Sequence, residues 1–105
     1  MSEIEDILKR IKRSVYLTDP DAQILLYGSY ARGDYDDRSD IDLIILLDKK
    51  KITREDEKRI KYPLYSIEFD VGRIISPIII SKKDWDYKHN VTPLYENVQS
   101  EGIQL

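Results

Sequence analysis

The chain has 105 residues, 41% hydrophobic and 35% charged, the proportions of one globular domain with a modest core. Its 17 basic and 20 acidic side chains give a net charge of −3, a balance that argues against a general nucleic-acid binder with a basic face. Cysteine is absent, which excludes disulfides and thiolate metal sites.

The acidic start, Glu3, Glu5 and Asp6, is unlike a signal peptide. No apolar run approaches the roughly 20 residues that cross a bilayer, so a cytoplasmic protein is expected. Residues 2–16 read as an amphipathic helix, with Ile4, Ile7, Leu8, Ile11 and Val15 forming one apolar stripe. Ser2-Glu3-Ile4-Glu5 has the form of a capping box. The basic cluster Lys9, Arg10, Lys12 and Arg13 is expected in the last turns as a solvated face. Asp19-Pro20-Asp21 marks a turn.

Two short aliphatic runs follow, Ile24-Leu25-Leu26-Tyr27 and Leu43-Ile44-Ile45-Leu46-Leu47, each bounded by turn residues as buried strands are. Between them lie Gly28-Ser29, ten residues, and then Asp40-Ile41-Asp42. Side chains alternate along a strand, so Asp40 and Asp42 point the same way while Ile41 and Leu43 enter the core. Paired carboxylates at a strand's start suit hard divalent cations such as Mg²⁺. Gly28 allows close approach of backbone to a ligand, and Ser29-Tyr30-Ala31-Arg32 predicts a short helix whose free N–H groups favour phosphate. Arg32 could add a charge-assisted bond. Carboxylates facing a phosphate cradle form the layout of a nucleotidyl-transfer site. Asp34, Asp36 and Asp37 read as exposed loop carboxylates, and Tyr30 and Tyr35 lie where a base could stack.

After the solvated turn Asp48-Lys49-Lys50-Lys51, Thr53 is expected to cap a helix that Pro63 kinks or ends near Tyr62. The next stretch fits two periods. Tyr65, Ile67, Phe69 and Val71 alternate like a strand, which would put Glu68 and Asp70 on one face. Ile60, Leu64, Ile67 and Val71 equally fit a helix, with a strand then starting near Arg73. Residues 73–81 read as a strand in which Pro77 demands an edge position or a bulge. Ser81 to Asp84 looks like a helix start, Trp85 reads as core, and His89, the sole histidine, as a surface residue. Thr92-Pro93 opens another helix and Gly102 stops it; residues 103–105 would form a short strand or a partner contact.

The spacing Gly28-Ser29, ten residues, Asp40-Ile41-Asp42 resembles the DNA polymerase β-like nucleotidyltransferase superfamily. The fuller runs Gly28-Ser29-Tyr30-Ala31-Arg32-Gly33-Asp34 and Ser39-Asp40-Ile41-Asp42-Leu43 are similar to its minimal nucleotidyltransferase (MNT) branch, small proteins often paired with a HEPN-domain partner. The core similarity covers residues 24–47, and a weaker one extends to Pro93–Val98 and to Glu101-Gly102-Ile103.

The resemblance implies an α/β (α+β) fold, a small mixed sheet with helices mainly on one face. It implies Mg²⁺-dependent transfer of a nucleoside monophosphate, AMP from ATP, onto a hydroxyl. Asp40 and Asp42 would hold two Mg²⁺ ions, and Gly28, Ser29, Arg32 and Ser39 would bind the nucleotide. A third carboxylate is expected on a strand beside Asp40-Ile41-Asp42. Asp70 is the best local match, Glu68 its substitute, and an incomplete triad stays open. With about 60 residues after the site, a protein that brings its own surface is the economical acceptor: a tyrosine of a HEPN-type toxin, neutralised by this chain as antitoxin. Two other readings stay open. One is a non-catalytic MNT-fold module that neutralises by docking, and the other is transfer to a small molecule, for which a homo-oligomer could build the pocket.

Overall fold

A computed structural model describes residues 3–105 of the chain. In chain order these form α1 (Glu3–Thr18), β1 (Gln23–Tyr27), α2 (Ser29–Arg32), β2 (Ile41–Leu47), α3 (Arg54–Val71), β3 (Ile75–Ser81), α4 (Lys82–Tyr87), α5 (Pro93–Glu101) and β4 (Ile103–Gln104). The strands make a four-stranded sheet in the order β3-β2-β1-β4. β1 runs antiparallel to both β2 and β4, whereas β2 and β3 are parallel, so the sheet is mixed. A parallel pair needs a crossover, and α3 supplies it.

Alternation along the strands divides the core in two. Ile24 and Leu26 of β1 and Ile41, Leu43, Ile45 and Leu47 of β2 join Ile7, Ile11 and Val15 of α1 and Ile60, Leu64 and Ile67 of α3. The opposite face holds the smaller cluster, Ile44, Leu46, Ile80, Trp85 and Val98, partly covered by Leu94 and Tyr95 of α5. The two long helices therefore share one face, and the short α4 and α5 close the other. Among the described residues no helix is long and apolar enough to cross a membrane.

α1 follows its apolar stripe, with Ile7, Ile11 and Val15 buried at intervals of one turn. Ser2 lies outside the described residues, so the expected capping box does too. The helix runs on to Thr18, where the Thr18 hydroxyl bonds the Ser14 carbonyl at 3.1 Å. The basic cluster consequently lies in mid-helix, and the last turn holds no basic residue, contrary to the expectation from sequence.

α3 departs further from expectation. Pro63 does not end it; the helix continues to Val71. Proline in a helix interior costs about 3 kcal/mol through the lost hydrogen bond and ring clash. Against that, Ile60, Leu64 and Ile67 on successive turns are all buried, and full burial contributes about 1.5–3 kcal/mol per such side chain. Pro63 itself stays exposed, so burial outweighs the local penalty. The start is fixed by a capping box: the Thr53 hydroxyl accepts from Asp56 N at 3.1 Å, and Thr53 N donates to Asp56 Oδ2 at 3.0 Å. Gly72 ends the helix in the left-handed region, φ +70°, donating to the Glu68 carbonyl. Pro77 lies on β3, an edge strand, as its missing donor requires.

Candidate active site

The site sits where β1 ends and β2 begins. Tyr27, the last residue of β1, pairs in register with Asp42, so the chain leaving β1 passes directly over that carboxylate. Gly28 makes the passage possible. Its φ of +76° belongs to the left-handed half of the map, and a β-carbon built on it would lie 2.5 Å from Asp42 Oδ2. Ser29 then opens α2, a single turn whose carbonyls at Gly28 and Ser29 accept from Ala31, Arg32, Gly33 and Asp34.

Asp42 shares its face of the sheet with Ile44 and Leu46, the face closed by α4 and α5. Burial pushes its carboxyl above the usual range, the negative charge of Asp40 pushes it further, and Arg32 partly offsets both. Asp42 in turn helps burial raise the phenol of Tyr27. Asp40 precedes the strand and is exposed. Two carboxylates that repel one another, with oxygen donors only, fit a hard divalent cation. Among the described residues no group of three potential ligands surrounds them.

The third carboxylate expected from sequence is not beside the pair. Asp70 lies on α3, which packs against the opposite face of the sheet, and it accepts from Arg10 Nη2 of α1 at 3.0 Å. The helical reading of residues 60–71 prevails, so the strand that would have carried Asp70 begins only after Gly72. Glu68 is likewise helical, and its Oε1 accepts from Ile75 N at 2.7 Å, tying the helix end to β3. The β3 residue in register with Asp42 is Ser76, whose hydroxyl donates to Asp40 Oδ2 at 3.4 Å.

Arg32 is exposed and held by two acids. Its Nε donates to Asp34 Oδ2 at 3.1 Å, and its Nη1 donates to both oxygens of Glu101 at 3.1 and 3.3 Å. Those hydrogen bonds, that to Asp34 foremost, raise the guanidinium's already high pKa. Ser39 is engaged within its own loop, its hydroxyl accepting from Asp36 N at 2.9 Å. Tyr30 and Tyr35 stack on one another, with ring centroids 4.3 Å apart. Tyr30 is buried and its hydroxyl accepts from Arg73 Nη1 at 2.8 Å, so that ring is a core residue. Glu101 went unassigned in the sequence, where Glu101-Gly102-Ile103 carried only a weak similarity. It reaches the site by tertiary approach alone.

A Gly-Ser turn over a carboxylate pair, on a small mixed sheet, defines a nucleotidyl-transfer fold. The sequence profile described as "Nucleotidyltransferase domain" matches residues 2–97, and the chain belongs to that family: it is a nucleotidyltransferase. It is 37% identical to "Putative protein adenylyltransferase MJ0141" of Methanocaldococcus jannaschii, over 98% of this chain and 99% of that one. A solved structure described as a "putative minimal nucleotidyltransferase" superposes with a TM-score of 0.62 at 25% identity, over 99% of this chain and 97% of the other. The crystal structure of a mutant MntA–HpeT toxin–antitoxin contains a chain with a TM-score of 0.59 at 19% identity, covering 100% of this chain and 72% of that one, which is a likeness of fold.

Proposed function

We propose that the chain transfers AMP from ATP to a tyrosine hydroxyl of a separate protein, a HEPN-type toxin, and so acts as its antitoxin. The observation that carries this reading is the placement of Gly28 over Asp42, with Asp40 alongside, which puts a phosphate-approachable turn against a cation-seeking pair. The name of the 37% identical relative, a protein adenylyltransferase matched along nearly its whole length, supports a protein acceptor.

In this reading the acceptor oxygen bonds to the α-phosphorus as the bond to the bridging oxygen breaks, and pyrophosphate leaves. Asp40 and Asp42 would hold two Mg²⁺ ions, which when bound would offset phosphate charge and polarise the reacting group. Gly28, Ser29 and Arg32 bind and orient the triphosphate, and Ser39 holds the loop that borders it. Asp40, the exposed member of the pair, would take the acceptor's proton. Ser76 orients Asp40 through its hydroxyl.

The test is transfer of α-labelled ATP, with Mg²⁺ and the partner, by wild type and Asp42→Ala. Labelled partner and released pyrophosphate are expected from the wild type and neither from the variant. A second reading, docking without catalysis, is favoured by one observation: Ser76 stands opposite Asp42 where a further carboxylate would complete the site. Tight binding of the partner with no turnover of nucleotide would select that second reading.

A further inference from the structure

Glu101 ends α5 and points back at the Gly-Ser turn. Its Oε1 accepts from Gly28 N at 3.3 Å and from Arg32 Nη1 at 3.1 Å, and its Oε2 accepts from the same Nη1 at 3.3 Å. The groups that should meet a nucleotide's phosphate oxygens are thus already bound to an anion, one built into the chain.

The carboxylate is not a loose surface group. Its side chain is 25% exposed, against 46% for Arg32. Gly102 follows at once and donates to the Val98 carbonyl at 2.7 Å; a β-carbon on Gly102 would collide with that carbonyl oxygen, so the turn is tight. Ile103 and Gln104 then pair with Leu26 and Leu25 of β1, and Leu105 N donates to the Ile24 carbonyl at 2.9 Å. Helix on one side and strand on the other aim Glu101 at Gly28.

We propose that Glu101 is an internal stand-in for the nucleotide's phosphate, which the triphosphate displaces on binding and whose release loosens β4 from β1. The inference rests on the nucleotidyl-transfer reading of the site and adds to it a competitor that sets what can bind. A single N–H cannot serve two anions well, and a phosphate beside a carboxylate would meet like charge. A ligand enters only if its charge and contacts exceed those of Glu101, which favours a polyphosphate over a monoanion. Glu101-Gly102-Ile103 thereby gains a role: acid, tight turn and strand link occupancy of the seat to pairing at the sheet's edge.

The experiment titrates the 105-residue chain by calorimetry with α,β-methylene-ATP plus Mg²⁺ and with inorganic tripolyphosphate, for wild type, Glu101→Gln and Glu101→Ala. Both variants are expected to bind both probes about tenfold more tightly, the scale of one charge-assisted hydrogen bond no longer competing. A merely structural Glu101 predicts the reverse, and equal or weaker binding by folded variants overturns the proposal, as does no binding by any of the three proteins. Hydrogen exchange on the wild type needs no variant. Amides of residues 103–105 should exchange faster when tripolyphosphate is added, and unchanged or slower exchange also overturns it. Neither readout requires transfer. Tighter binding by the variants without labelled partner would sink the protein-acceptor reading and leave the role of Glu101 standing.

Discussion

Gly28 and Asp42 are in contact across the mouth of the site, the glycine's α-carbon facing the carboxylate so closely that a methyl group there would come within 2.5 Å of Oδ2. Gly28→Ala therefore does two things. It forces a left-handed backbone on an L side chain, at about 1–3 kcal/mol, and it pushes the Asp42 carboxylate off its position. Transfer activity is expected to fall about a hundredfold, the scale of a misplaced reactive group, with the chain still folded by circular dichroism. Activity near that of the wild type would show that the close approach is dispensable.

Asp42 and Asp70 should separate cleanly on mutation. Asp42→Asn is expected to abolish transfer, whereas Asp70→Asn, which removes an exposed pairing with Arg10, is expected to leave it nearly intact. Exposed ion pairs contribute about 0–1 kcal/mol, so Asp70→Asn should also shift the melting temperature little. Labelled-transfer rates for the two variants side by side decide this, and a severe loss from Asp70→Asn would mean that α3 approaches the site in the reacting state.

The raised pKa of Asp42 has a stability counterpart. A carboxyl whose folded pKa lies above its unfolded value favours folding when protonated, and that contribution is lost as pH rises through the folded pKa. At pH 7 the ionised group opposes folding. Asp42→Asn should thus melt higher than wild type at neutral pH, with the gap closing as pH falls into the ordinary carboxylate range near about 4. Thermal melts across pH test it; an equal or lower melting temperature at pH 7 contradicts the argument.

Asp56 behaves oppositely. The bond from Lys49 Nζ, at 2.7 Å, leads the causes that hold it well below the usual range, with Thr53 N and Arg59 Nη2 adding to it. Its contribution is present above the unfolded pKa and disappears as pH drops below that value toward the folded one. Asp56→Asn should destabilise the chain at pH 7 and progressively less below about pH 4. Denaturant melts at several pH values would show a constant difference if Asp56 were only a neutral cap.

Two side chains give measures of α3 itself. Thr53→Ala removes the acceptor for Asp56 N and should cost about 1 kcal/mol. Leu64→Ala, at a fully buried position just beyond Pro63, should cost about 2–5 kcal/mol. Urea unfolding compares them. A cost for Leu64→Ala no larger than that for Thr53→Ala would mean that burial does not carry the helix past its proline.

Legibility in the sequence followed the range of the interactions. The hairpin from Ile24 to Leu47 was readable because glycine, aspartate and β-branched residues there act on their immediate neighbours. Residues 60–71 were not, since Ile67 and Val71 satisfy both periods and Pro63 argues locally for a stop. The decision came from the sheet, which buries Ile60, Leu64 and Ile67 together. Assigning Asp70 to the site inherited that ambiguity. Glu101 lies 73 positions from Gly28, and no local pattern could have joined them.

Pro77 bears on how the molecule meets its own copies. β3 is an outer strand, and its neighbour Ile78 is 39% exposed, the kind of aliphatic edge along which a second chain could extend the sheet. A strand laid against it would find a donor missing at Pro77 and a ring in the way. The residue that confines this segment to the sheet's edge is therefore what lets an isoleucine-rich edge face water without templating its own aggregation.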